Sequence, residues 1–247
     1  QALLELRDSV YQNLPISSVS ALASQARALL LGPEGAPLSP AAPSLASSRI
    51  DYLEGRAFNE SGDKKAAIAL FESSLQKARF AQARAQTQTE RNAALLAQAQ
   101  ALSQLCSLKD VFFLVANGPK VLQLAQNILD TEHSASGAGS KPGTAANTTS
   151  ASSPSAFGAG LIFAQSKAFA PSIFGGDPAK ALAMLDELSV AYGENLDKDE
   201  LFDLNVCRGE ALDKLGRTAD AAAAFRSALD LYPGNLYAAG RLRGIAP

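Results

Sequence analysis

Few residues in this chain could carry chemistry, and they are scattered. His133 is the single histidine, and no cysteine or acidic cluster stands near it at metal-ligand spacing. It therefore reads as a solvated loop residue, neither a metal ligand nor a general base. Cys106 and Cys207 fall in helix-like stretches about a hundred residues apart, without a CxxC neighbour, and read as buried thiols in preference to a disulfide. The segment GAGSKPGT, 137–144, carries glycines and a lysine. It lacks the GxxxxGK[ST] spacing of a phosphate loop and follows no strand, so no nucleotide site is expected. The acidic run GENLDKDELFD, 193–203, lacks the glycine and spacing of an EF-hand; it suits a loop entering a helix N-terminus, where acids favour the dipole. Asn147-Thr148-Thr149 is a glycosylation sequon by letter, relevant only to a eukaryotic secreted chain. No catalytic constellation, metal site or cofactor follows from these residues. A cryptic enzyme would need an apolar pocket with convergent titratable groups.

The elements that would position any site are helices. The 247 residues are 47% apolar but only 6% aromatic, with no tryptophan and abundant alanine. That composition favours closely packed helices over sheets of β-branched and aromatic residues. A formal net charge of −2 without a basic run gives no surface for nucleic acid or an anionic membrane. No apolar run reaches the roughly 18 residues of a membrane span. Leu3, Leu6, Val10 and Leu14 mark a helix up to Pro15, and Val19, Leu22, Ala26, Leu29 and Leu30 mark a second, which Ser17 or Ser18 could cap. These make an N-terminal helical hairpin over 1–32. The proline-rich stretch 33–47 reads as a loop or linker. Residues 48–133 are helical, with a turn at 61–63, a capping box of Thr87 with Glu90, and VFFLVA, 111–116, as helix or turn. After Gly118-Pro119, the stripe Val121, Leu122, Ala125, Ile128 and Leu129 starts a helix with one buried face. Residues 134–156 have no apolar side chain larger than alanine or proline and read as a disordered insertion. Helices return over 157–247, with turns at IFGGD, LGR and YPG.

Within this pattern a repeat stands out. Gly55, Gly62, Ala67 and Phe71 recur at identical offsets as Gly209, Gly216, Ala221 and Phe225, and a third segment keeps Gly176, Ala181 and Leu185. The small residues let two antiparallel helices approach near the short end of the usual 8–10 Å, roughly. The phenylalanine then fills the gap where they diverge. Gly62, Gly176 and Gly216 stand where a helix must end, a place that suits positive φ. Asp63 and Asp177-Pro178 suit the start of the next helix, and Pro233 closes the last unit.

These residues resemble the tetratricopeptide repeat (TPR) family, whose unit is a helix-turn-helix of about 34 residues. Gly209, Leu212, Gly216, Ala221, Phe225, Ala228 and Pro233 match its register; so do Gly55, Phe58, Gly62, Ala67 and Phe71, although Ser74 and Arg79 replace the usual alanine and proline, so that the second helix of this unit runs on. The resemblance covers 48–80 and about 157–242. It implies an all-α, TPR-like antiparallel helix-pair solenoid with a right-handed superhelix. It further implies a concave groove for a protein or peptide partner, lined by Arg49, Tyr52, Arg56 and Asn59 at a basic end and by Asp203, Val206, Glu210 and Asp213 at an acidic one. Tyr52 with Arg56 and Val206 with Glu210 replace the lysine and asparagine with which some members clamp a C-terminal carboxylate, so that clamp is absent.

FGGDPAKALAMLDEL is similar to bacterial extracytoplasmic proteins that carry such repeats, including components associated with solute transport. Two functional expectations result. The first is a non-catalytic scaffold that binds a protein or peptide through its groove. The alternative is an oligomerising accessory of a periplasmic transport system that contacts a substrate-binding protein or small solute. The start at Gln1 leaves room for an upstream signal or lipid-anchored segment, which favours a periplasmic or membrane-anchored lipoprotein over a cytoplasmic protein.

Overall fold

A computed structural model of the chain describes residues 1–31, 39–136, 153–171 and 175–245. It contains eleven α-helices and no strand among the described residues. The N-terminal hairpin is α1 (Ala2–Tyr11) and α2 (Ile16–Leu31); then come α3 (Ala42–Glu60), α4 (Lys64–Arg84), α5 (Gln88–Leu108) and α6 (Val111–Ser136). The second half holds α7 (Pro154–Phe169), α8 (Pro178–Tyr192), α9 (Lys198–Lys214), α10 (Thr218–Leu231) and α11 (Leu236–Ile245).

Each helix packs on the next, and α1, α3, α5, α7 and α9 are also successive neighbours, so the odd-numbered helices form one layer with the even-numbered ones between. Alternating the chain between two layers buries one stripe of every helix against two partners. The caps anticipated from sequence hold the turns. Asp63 accepts from the Ala66 amide and Asp177 from the Lys180 amide, while Thr87 with Glu90 closes a capping box. A further capping box, not named from sequence, pairs Asp197 with Glu200. Gly62 and Gly216 adopt φ of +91° and +72°.

Ala67, Phe71, Ala181, Leu185, Ala221 and Phe225 are all fully buried, and each phenylalanine ring rests against the glycine of the preceding helix. A Cβ at Gly55 would lie 2.9 Å from the Phe71 ring, and one at Gly209 would lie 2.7 Å from the Phe225 ring. The glycine of the first helix is the seat of the ring on the second. Gly176 also departs from expectation, because Gly175 takes the positive φ of +82° instead. A Cβ at Gly176 would stand 2.0 Å from the Ala170 carbonyl oxygen, so bare backbone is needed there for close approach.

Several helix limits differ from the sequence expectation. The helix expected after the 33–47 linker begins at Ala42, since Pro43 sits in its first turn, where a missing N–H removes no internal bond. Gly118-Pro119 does not separate two helices, and α6 runs through it. The ring leaves the Val115 carbonyl without its amide partner, and Val115 is 63% exposed, so water can satisfy it. The insertion assigned to 134–156 narrows at both ends, with α6 reaching Ser136 and Ser153 capping α7. The rest of that segment, with GAGSKPGT and the Asn147 sequon, lies outside the described residues. His133 is helical, its Nδ1 2.6 Å from the Leu129 carbonyl oxygen, and is exposed. In the hairpin, Leu14 and Leu29 are 46% and 60% exposed, and Tyr11 is buried instead. The α2 helix starts at Ile16, which puts Ser17 and Ser18 inside its first turn and not at its cap.

Candidate partner-binding face

The residues expected to line the two ends of a groove lie on α3 and α9, and the structure brings those ends together with α1 between them. Arg7 of α1 donates to Asp199 at 2.8 Å, and the Tyr11 hydroxyl donates to Asp203 at 2.8 Å. Both pairs are separated by 192 residues, so α1 and α9 run parallel in one register. Across the same junction Arg49 of α3 donates to Asp199 at 3.4 Å, and to Gln100 of α5 at 3.3 Å. The Arg56 guanidinium lies 4.4 Å from the centre of the Tyr11 ring, a cation–π contact. It also pairs with Glu60, which Asn13 reaches from the α1–α2 turn.

Tyr11 completes an aromatic cluster. Its ring stacks on Tyr232 at 4.9 Å and meets Phe202 edge-on at 5.2 Å. Polar contacts extend the joint, because the Tyr232 hydroxyl donates to Asp8, the Asn235 side chain to the Tyr11 carbonyl, and the Gly234 and Leu236 amides to Gln12 and Asn13. The basic and acidic ends are thus joined to each other through the first helix.

The eight expected groove residues divide accordingly. Arg56 and Asp203 are committed to the junction. Glu210 is 4% exposed and takes two donors from Arg241 and one from the Tyr237 hydroxyl, while Asp213 also pairs with Arg241; helix α11 therefore covers the far end of α9. Arg49, Tyr52, Asn59 and Val206 remain partly exposed. Sequence reasoning did not find Arg7, Tyr11, Asp199 or Tyr232. The usable signal was the matched four-residue spacing of Arg7 with Tyr11 and of Asp199 with Asp203, which sets donors on one helix opposite acceptors on another.

Burial dominates the titration of this junction. It raises Asp203 above the usual carboxylate range, although Arg56 and the Tyr11 hydroxyl pull the other way. It raises Glu60 for the same reason. At Arg56 burial opposes the charge, but Tyr11, Tyr52, Asp203 and Glu60 together raise the group well above its ordinary value. Burial, aided by Asp203 and Glu210, pushes the Cys207 thiol up to about 12. That leaves a packed, protonated thiol with little nucleophilic character, and Cys106 is likewise buried and free.

A carboxylate raised in the folded state stabilises the fold most below its unfolded pKa of about 3.9, and that contribution is lost as pH rises through the folded value. Asp203→Asn keeps an acceptor for the Tyr11 hydroxyl and removes the desolvated charge. Urea titrations should find the variant more stable than the parent at pH 7, with the gap closing as pH falls through about 4. A constant gap across that range would contradict this reading of Asp203.

No group of three or more His, Cys, Asp or Glu among the described residues is arranged to hold a metal ion, and no helix among them is long and apolar enough to cross a membrane. Compared with protein-family models, curated proteins and solved structures, the chain matches none.

Proposed function

We propose that this chain is a non-catalytic scaffold, a TPR-like helix-pair solenoid that holds a protein or peptide partner on its odd-numbered helix layer. The observation that supports this most is the repeated glycine–phenylalanine seat. Gly55 with Phe71 and Gly209 with Phe225 build two like helix pairs, whose first helices, α3 and α9, are joined across one junction. In an arrangement of this kind the first helix of each pair offers side chains to a common partner. Arg49, Tyr52, Asn59 and Val206 are the expected groove positions that keep accessible surface. Together they offer one cation, an aromatic ring, an amide and an apolar branch, the mixture that suits an extended peptide.

Affinity capture on the immobilised chain tests the proposal. A specific partner should be retained by the parent and lost with Tyr52→Ala combined with Val206→Asp, while both proteins keep the same helical circular dichroism. Capture that is equal in the parent and the double variant would remove this layer as the binding face.

A further inference from the structure

Away from the α1–α9 junction, α4, α5 and α6 enclose a cleft of about 310 Å³, floored by leucines that include Leu75 and Leu102. Arg79 of α4 and Lys120 of α6 stand on its two sides, with carboxamides between them and no carboxylate in the lining. Arg79 has no hydrogen bond or ion pair among the described residues, and Lys120 donates only to the neighbouring Asn117 side chain at 3.1 Å. Neither has the carboxylate partner that Arg7, Arg27, Lys77, Lys109 and Arg241 have, a state they share with other exposed cations such as Lys64 and Arg91; what sets these two apart is that both line one cleft.

The cleft continues into an apolar stripe. Helical spacing places 112, 116, 119, 123 and 127 along one side of α6, and the last two are cleft-lining residues. Phe112, at the start of this stripe, is 82% exposed, the highest value among the described aromatic residues, and Val115 beside it is 63% exposed. Ala116 and Pro119 are exposed as well. Isolated apolar side chains on a surface are ordinary, but a continuous set that borders unpaired cations marks a contact site.

We propose that this α4–α5–α6 face docks an acidic amphipathic helix of a protein partner, with carboxylates on Arg79 and Lys120 and an apolar side on Phe112. The inference rests on the protein-binding reading above but uses a different surface. Charge complementarity selects an acidic occupant, because two cations without counter-charges face one cleft. Length selects a helix: from 112 to 127 the stripe extends about 22 Å at 1.5 Å per residue, four turns of a helix and longer than a small organic acid. Hydrophobic contact at one end and charge at the other fix its direction.

The test uses the full chain and a fluorescein-labelled helical peptide of about four turns, made from Glu, Leu, Ala and Gln, beside a twin in which every Glu is Lys. The acidic peptide should bind saturably and the basic twin should not. Arg79→Glu combined with Lys120→Glu, and separately Phe112→Asp, should each weaken binding at least about tenfold, with unchanged circular dichroism. Tyr52→Ala with Val206→Asp should leave it unaltered, which separates this face from the other layer. No saturable binding, equal binding of both peptides, or an unchanged affinity in the charge-reversed variant would overturn the proposal. Displacement by free glutarate as effective as by unlabelled peptide would assign the cleft to small acids and overturn it too. So would a dimer in sedimentation that Phe112→Asp dissociates, since a second copy would then be the occupant.

Discussion

Phe225→Ala should lower the unfolding free energy by about 3–5 kcal/mol, the range for emptying a fully buried aromatic site. The ring has no solvent exposure, and its edge fills the space that a side chain at Gly209 would take. The helix pair cannot close over the resulting void without α9 and α10 shifting along their length. The reverse change is also unfavourable. Gly209→Ala puts a methyl group within 2.7–2.9 Å of three ring atoms and should cost about 1–3 kcal/mol through overpacking. In the double variant Gly209→Ala, Phe225→Leu the two effects should partly cancel, because the smaller side chain vacates the methyl's position. Urea midpoints of Gly209→Ala, of Phe225→Leu alone and of their combination give the coupling. Strict additivity would show that glycine and ring do not share the site. Gly55 and Phe71 provide an independent repeat of the same experiment, with 2.9 and 3.1 Å as the corresponding approaches.

Tyr11→Ala should be comparably destabilising, about 3–5 kcal/mol, although Tyr11 belongs to the first short helix of the chain. Its ring touches Phe202, Tyr232 and the Arg56 guanidinium, and its hydroxyl serves Asp203. Removal would leave a cavity bordered by a desolvated carboxylate and guanidinium. Tyr11→Phe keeps the ring contacts and takes away only the donor to Asp203, so its loss should be smaller, about 1–3 kcal/mol. Urea denaturation of the two variants at neutral pH separates packing from hydrogen bonding. If Tyr11→Ala behaves like an ordinary change in a frayed terminal helix, the junction is not a structural joint.

Much of the fold was legible because its determinants are local. Aspartates and threonine at helix starts, glycines at turns and the glycine–phenylalanine offsets act within one helix pair, and spacing in the sequence reports them directly. Gly118-Pro119 misled for a physical reason: a proline that faces solvent can remain inside a helix, and sequence alone does not reveal which carbonyl faces water. The distinction between Gly175 and Gly176 depends on a backbone approach to Ala170, which periodicity does not encode. The junction was the least legible part. Arg56 and Asp203 have the composition of groove residues, and only the three-dimensional course of the chain shows that each finds its counterpart on α1. Tyr11, adjacent to the Val10 stripe, carried no signal in the sequence because partners such as Asp203 and Asn235 lie about 190–220 residues away.

In an open row of helix pairs the terminal members are held from one side only, and such rows unravel from their ends. Here the aromatic cluster at Tyr11, Phe202 and Tyr232 gives the first helix a second neighbour near the last pair. A tug on the amino-terminal end would therefore load α9 and α10 together with α1, making the two extremities share one mechanical fate.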